Sequence, residues 1–304
     1  MDWATVTKPT ADPHASSVPG MTTRTDTLLA GQYFLAVQGF AIIRSCLTDP
    51  SATRPRLDEV REIAEHLGEF PHSLEIPMTE HDVVGGYTEW SSRYGGPNPA
   101  IACEEPVVHA LLDAMPVGFA LDAACGTGRH AARLSALGHE VIGVDATPAM
   151  LDVARTNVPA ADFRLGRLEE LPVEDGSVDL ITCALALTHV VDLAPVMREM
   201  SRVLRPGGRA VLSDIHPLNA MTGGIAGFPD GAITDGIPYV RNLVHHVSEY
   251  VGAFGAAGLR IVDCLEPLVT ESLLPNFPSY ALFPDATRQA FLDAPYLLIW
   301  ELER

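Results

Sequence analysis

The segment Leu121-Asp122-Ala123-Ala124-Cys125-Gly126-Thr127-Gly128-Arg129-His130 constrains this chain more than any other. An apolar run ends there in a Gly-x-Gly turn and a helical pattern follows, so the chain passes from strand to helix through glycines. Such a turn lets the backbone approach a ligand closely, and the helix N-terminus behind it offers N–H groups without intrahelical partners. Nineteen residues after Gly126 a second apolar run ends at Asp145. A carboxylate at a strand end of this kind can accept two hydrogen bonds from ribose hydroxyls, so the pair of features implies an adenosine-type ligand.

From Phe119 onward short apolar runs alternate with helical patterns, which argues for a doubly wound α/β sheet covered on both faces. The runs Phe119–Ala123, Glu140–Asp145, Asp162–Leu165, Val178–Ala184, Arg209–Asp214, Leu259–Cys264 and Tyr296–Glu301 predict seven strands. Helices are predicted over Arg129–Leu137, Pro148–Asn157, Leu193–Leu204, His245–Ala257 and Pro284–Leu292, with Thr147 and Pro148 as an N-cap and N1 pair. Gly-rich Thr222–Pro238 is too long for a routine connection and reads as part of a lid over residues 217–245. Upstream, the patterns at Phe34–Ile43 and Pro55–Leu67 predict a helical N-terminal cap over 31–115, before a main domain over 116–304. Residues 1–30, rich in Thr, Pro and Ser and without periodicity, read as a disordered tail.

Composition enters mainly by exclusion. Against 20 Lys+Arg stand 39 Asp+Glu, a formal charge of −19, which works against the phosphate attraction behind nucleic-acid and anionic-membrane binding. A membrane span needs about 18 uncharged apolar residues, and Gln38 and Arg44 interrupt the best candidate, Tyr33 to Leu47. Cys46, Cys103, Cys125, Cys183 and Cys264 are odd in number and widely spaced, which suggests neither a zinc framework nor a disulfide set. With no apolar leader, the expectation is a cytoplasmic protein with reduced thiols.

Gly126-x-Gly128-x-x-Ala131 also satisfies the dinucleotide fingerprint, so an NAD-dependent oxidoreductase is the alternative reading. Four features tip the balance: Asp122 four residues before Gly126, the run Cys125-Gly126-Thr127-Gly128, Leu168-Glu169-Glu170-Leu171-Pro172 before the fourth strand, and Leu204-Arg205-Pro206-Gly207-Gly208 before the fifth. Over roughly residues 80–304 the chain with these motifs closely resembles class I S-adenosylmethionine-dependent methyltransferases, particularly the bacterial small-molecule and natural-product branch. The resemblance implies a seven-stranded Rossmann-like sheet, S-adenosylmethionine as cofactor and a small-molecule acceptor. It places Asp122, Ala123, Ala124, Gly126, Thr127 and Gly128 around the methionine part and Asp145 on the ribose. Ala146 and Met150 would lie against the adenine, Arg167 and Leu168 at its edge, and Ala184 beside the cofactor at the end of the fourth strand. Family members often carry Asp where this chain has Arg167, which leaves the backbone N–H of Leu168 to serve there. Tyr87-Thr88-Glu89-Trp90-Ser91-Ser92-Arg93-Tyr94 resembles the helix such enzymes fold over the cofactor, with Tyr94 as its contact.

Methyl transfer of this type is an in-line displacement that depends mainly on positioning, with a base needed only where the acceptor loses a proton. His189, His216 and His245 are the candidate catalytic bases at the ends of strands four and five, and the resemblance favours His216 and His245. His189, at a strand end, reads more readily as a cofactor-shelf or packing residue than as a base. A metal held by His216, His245, His246 and Asp214 is not expected, since neighbouring helical residues point about 100° apart. Amine, hydroxyl and electron-rich aromatic acceptors all remain open, as does a relative that binds the cofactor without methylating, because cofactor motifs report binding and not turnover. A homodimer through the N-terminal segment is compatible with the pattern.

Overall fold

A computed structural model describes residues 23–304; of the expected tail, residues 1–22 lie outside the described part. Two compact units make up the chain, one from residues 23–82, Ala226–Val240 and Leu268–Ala294, the other from Val83–Ile225, Arg241–Pro267 and Pro295–Arg304.

The first unit corrects three expectations. Where the tail was expected to continue, Arg24–Leu29 forms strand β1. It pairs antiparallel with β2 (Glu75–His81), which pairs in parallel with β9 (Ile237–Arg241), and β8 (Ile225–Gly227) completes a four-stranded sheet in the order β1-β2-β9-β8. The cap is therefore mixed α/β, with helices α1 (Ala30–Ser45) and α2 (Pro50–Glu65) beside the sheet and Ala30, Phe34, Ile63, Leu74, Ile76 and Ile233 in its core. Most of the expected lid, residues 226–240, belongs to this unit, its ends forming parts of β8 and β9, and helix α10 (Pro284–Phe291) packs on α1. The physical reason is that these strands are short and largely exposed, so they lack the buried period-two signature, and their partners are distant in sequence.

In the second unit seven strands form one sheet, in the order β10-β11-β7-β6-β3-β4-β5. They are β3 (Phe119–Ala123), β4 (Glu140–Asp145), β5 (Asp162–Leu165), β6 (Val178–Ala184), β7 (Leu204–Ile215), β10 (Arg260–Leu265) and β11 (Leu297–Glu303). All run in one direction except β11, which is antiparallel to both its neighbours. Along β3, Leu121 and Ala123 pack into a core shared with α7 (Leu193–Val203) and α9 (Val247–Ala256). Ala120 points to the opposite core, shared with α4 (Pro99–Asp113), α5 (Arg129–Leu137) and α6 (Pro148–Asn157). A strand buried on both faces leaves only its ends for chemistry. The chain winds outward from β3 to β5 and returns to β6 on the other side of β3, so a switch of winding direction falls where β3 ends, at the Gly-x-Gly turn.

Candidate active site

After β3 the backbone takes left-handed dihedrals at Ala124, Gly126 and Gly128, with φ of 58°, 53° and 85°. Ala124 is not a glycine, so this conformation is held against a cost of about 1–3 kcal/mol, and such strain concentrates at sites of function. The turn is pinned from within by the Cys125 N–H on the Val144 carbonyl (3.0 Å) and the Gly128 N–H on the Cys125 carbonyl (2.8 Å). Gly128 is the N-cap of α5 and has no side chain to cap it. Asp122 serves instead: its Oδ2 accepts the Ala131 N–H at 2.8 Å. Burial pushes the Asp122 carboxyl up to about 6.

Asp145, at the end of β4, spans the same turn. Its Oδ2 accepts the Gly126 N–H and its Oδ1 the Thr147 N–H, both at 2.8 Å. Each carboxylate oxygen has a second lone pair, so the pair of oxygens can still accept from two vicinal hydroxyls. Burial raises its pKa above the ordinary carboxylate value. The Gly166 N–H bonds the Asp145 carbonyl at 3.0 Å and so brings Arg167 and Leu168 to this edge. The Arg167 side chain is turned outward onto Glu169 (3.2 Å), while Leu168 is buried. Met150 is buried on α6, and Ala146 and Ala184 are half-buried at their strand ends.

Over the turn stands the aromatic face of α3 (Val83–Trp90) and the single 3₁₀ turn that follows it. A Cβ added to Gly126 would lie 3.8 Å from Tyr94 Cε1, which sets the Tyr94 ring against the turn. Trp90 and Tyr94 meet edge to face at 4.9 Å and Tyr87 stacks on Trp90 at 5.7 Å. This unit has no spare room behind the turn either: a Cβ on Gly143 would fall 2.4 Å from the Phe163 ring.

A buried charge network ties α5 to α4 and β7. Glu104 receives Arg129 Nη1 (2.5 Å), His130 Nε2 (3.1 Å) and Ser213 Oγ (2.8 Å). Burial alone would raise the Glu104 carboxyl, but the His130 hydrogen bond and the Arg129 charge outweigh it and hold it down to about 2. Sequence reasoning missed Glu104. The available signal was Arg129-His130, a polar pair opening a helix whose next turn is buried.

The three candidate histidines have separate environments. His216 caps helix α8 (Pro217–Met221): its Nδ1 accepts the Leu218 N–H at 3.1 Å and its Nε2–H donates to Glu266 at 2.9 Å, so neither ring nitrogen has a lone pair to spare. His245 is buried, donates Nε2–H to the Val190 carbonyl at 2.7 Å and sits edge-on to Tyr250. Tyr250 in turn donates to Asp214 at 2.6 Å, and burial pushes that carboxyl up to about 7. His189 is half-buried, with the Tyr87 hydroxyl on its Nε2 (2.8 Å) and the Arg241 carbonyl on its Nδ1 (3.1 Å). Among the described residues no group of three or more His, Cys, Asp or Glu is placed to hold a metal ion.

A doubly wound sheet, a strained Gly-x-Gly turn at its switch point and a carboxylate on the next strand end form a nucleoside-binding Rossmann-like arrangement, and the residues that build it match a methyltransferase domain. Residues 121–212 match the family model described as a methyltransferase domain. The Methyltransferase GfsG of Streptomyces halstedii is 28% identical over 229 residues, covering 72% of this chain and 79% of that protein. The biotin biosynthesis bifunctional protein BioHC of Cellvibrio japonicus is 41% identical over 172 residues, 55% of this chain and 34% of that one. For several curated relatives the match spans only about a third of their length, 32% to 36%. Among solved structures, an S-adenosylmethionine dependent methyltransferase from Mesorhizobium loti superposes with a TM-score of 0.52 at 24% identity, over 68% of this chain and all of that one. A geranyl diphosphate C-methyltransferase from Streptomyces coelicolor A3(2) gives 0.50 at 16% identity, over 72% and 98%. At these identities the structural matches speak for the fold.

Proposed function

We propose that the chain transfers a methyl group from S-adenosylmethionine to a small-molecule acceptor at oxygen, nitrogen or an electron-rich carbon, in secondary metabolism and in the cytoplasm. The observation that carries this reading is the charge of the turn. Asp122 already occupies a first-turn amide of α5, and Asp145 a second position on the same loop, so the site presents two carboxylates where a dinucleotide would bring its diphosphate. The positive end of the helix is thereby spent on Asp122. A ligand bearing a sulfonium and an ammonium fits this cradle, and a diphosphate is repelled by it.

Bound there, S-adenosylmethionine would supply a methyl group on an electrophilic sulfonium. Asp145 would hold the ribose hydroxyls, Leu168 and Met150 would flank the adenine, Ala184 would edge the site, and Tyr94 would exclude water from the turn. Support for an oxygen acceptor comes from a relative: malonyl-[acyl-carrier protein] O-methyltransferase of Yersinia pestis is 41% identical over 95 residues. The net charge of −19 favours neutral or cationic acceptors over nucleic acid. No helix among the described residues is long and apolar enough to cross a membrane.

Isothermal titration with S-adenosylmethionine and with NAD, repeated on Asp145→Ala, tests the reading. The expected result is S-adenosylmethionine binding that the substitution weakens tenfold or more, about 1.4 kcal/mol. Preference for NAD, or no S-adenosylmethionine binding, would overturn it.

A further inference from the structure

Among the candidate bases, His189 alone is half-buried where His216 and His245 are buried, and its Nε2 meets the Tyr87 hydroxyl. The Arg241 carbonyl can only accept, so the imidazole proton lies on Nδ1 and the Nε2 lone pair receives the Tyr87 hydroxyl at 2.8 Å. The direction of the chain is thereby fixed: Tyr87 O–H to Nε2, then Nδ1–H to carbonyl. Both lone pairs of the Tyr87 oxygen remain for an incoming O–H donor.

We propose that Tyr87 receives the proton of a hydroxyl acceptor while His189 takes the proton that Tyr87 releases, so that the base for methyl transfer to oxygen is a two-residue relay. The proposal rests on the methyltransferase reading above and narrows its acceptor to a hydroxyl compound. As the acceptor oxygen forms its bond to the methyl carbon, the electron pair of the broken carbon–sulfur bond stays on sulfur. The acceptor proton passes to the Tyr87 oxygen, the phenol proton passes to His189 Nε2, and the imidazolium later returns one proton to water.

Position supports this role. The Tyr87 ring centroid is 6.0 Å from that of Tyr94, the ring set against Gly126, and Tyr87 lies within electrostatic reach of both Asp145 and Asp214. Tyr87, Tyr94, Asp145 and His189 each keep part of their surface open to solvent, although burial is the largest influence on the titration of every one. Groups that are densely surrounded yet reachable line a concavity. His245, Asp214 and Tyr250 by contrast are closed off in the interior.

The chemistry also selects the acceptor. Burial holds the His189 imidazole down to about 4, against a small opposing effect of the Arg241 carbonyl. Beside it stands Tyr87, whose ring in turn meets Tyr94 and on which Asp145 and Asp214 act. Such an imidazole is too weak to ionise a hydroxyl in advance. It suffices once the oxygen has begun to bond the methyl group, because a doubly substituted oxonium is a far stronger acid than imidazolium. An amine acceptor yields an ammonium product that keeps its proton and needs no relay.

Nitrogen-15 NMR of the full chain with S-adenosylmethionine bound reads the relay without any acceptor. Expected are a protonated Nδ1 and an unprotonated Nε2 at His189 from pH 5 to 8, with the Nε2 resonance moving in Tyr87→Phe. A protonated Nε2 would reverse the chain and overturn the proposal. Transfer is then followed with phenol, catechol and 2-naphthol as probes, and aniline as the amine counterpart. Tyr87→Phe and His189→Asn, which keeps a donor for the Arg241 carbonyl, should lose at least 100-fold in kcat on the hydroxyl probe used, with KM and S-adenosylmethionine affinity within threefold. Retained hydroxyl transfer in Tyr87→Phe, or methylation of aniline alone, overturns the relay and leaves the methyltransferase reading standing. Absence of S-adenosylmethionine binding by the unsubstituted chain overturns both.

Discussion

Three buried carboxylates near the turn respond to pH in opposite senses. Glu104 is held down to about 2 from an ordinary value of 4.5, so its contribution to stability is complete above pH 4.5 and is lost as the pH falls toward 2. Asp122 and Asp214 are pushed up by burial from 3.8, to about 6 and about 7. The fold favours their protonated forms, so their contribution is complete below about pH 3.8 and is lost as the pH rises through 6 and 7. For Asp214 the displacement corresponds to a stability difference on the order of 4 kcal/mol. Asp214→Asn keeps an oxygen for the Tyr250 hydroxyl and removes the titration. Its urea midpoint should vary less between pH 5 and 8 than that of the unsubstituted chain and equal or exceed it at pH 8; an unchanged slope would contradict this origin. Glu104→Ala leaves His130 buried without its carboxylate and Arg129 with only Glu105 at 3.6 Å, and should cost about 3–5 kcal/mol by urea denaturation. A loss below 1 kcal/mol would mean that water replaces the carboxylate.

At the scale of elements, the central strands of the large sheet were legible because they are buried on both faces and read as apolar runs, whereas the more exposed edge strands β5 and β10 were legible from their place in the alternation with helices. Phe119–Ala123, Glu140–Asp145, Asp162–Leu165 and Val178–Ala184 have the bounds the pattern predicts. Reversal of β11 left no trace in the sequence, since direction is set by the long excursion Leu268–Ala294 and not by the strand's own residues. The small sheet was illegible for the reason already visible in β1, whose Arg24-Thr25-Asp26-Thr27 is exposed and takes its hydrogen bonds from a strand some fifty residues away. In the site, the glycine turn and Asp145 were readable from spacing, whereas Tyr87–His189 and Glu104–Ser213 join elements about a hundred residues apart. Gly143 illustrates how one element depends on another. Gly143→Ala would drive a methyl group into the Phe163 ring and toward Cys125 Sγ, at a cost of about 1–3 kcal/mol for overpacking. Adding Phe163→Leu should recover more than half of that loss, since the clash is with the ring; a double-mutant cycle with no coupling would refute the packing account.

The whole molecule offers a constraint that no single residue does. Each unit is assembled from three stretches of chain, so neither is a contiguous segment that truncation could isolate, and ligand effects are best read on the intact chain. With a formal charge of −19, the molecule attracts a ligand of net positive charge and repels a dinucleotide that carries a diphosphate. Saturation at a hundred times the dissociation constant stabilises a folded protein by about 2.7 kcal/mol. For a chain of this size that corresponds to a rise of roughly 4 °C in Tm. S-adenosylmethionine should produce such a shift in calorimetry, NAD at equal concentration should produce none, and Asp145→Ala should need at least ten times more S-adenosylmethionine for the same rise. Because the attraction is partly long-range, raising the salt from about 20 to 200 mM shortens the screening distance severalfold and should reduce the shift at fixed ligand concentration. A shift equal for both ligands, or one that grows with salt, would mean that the carboxylates at the turn do not select the cofactor by charge.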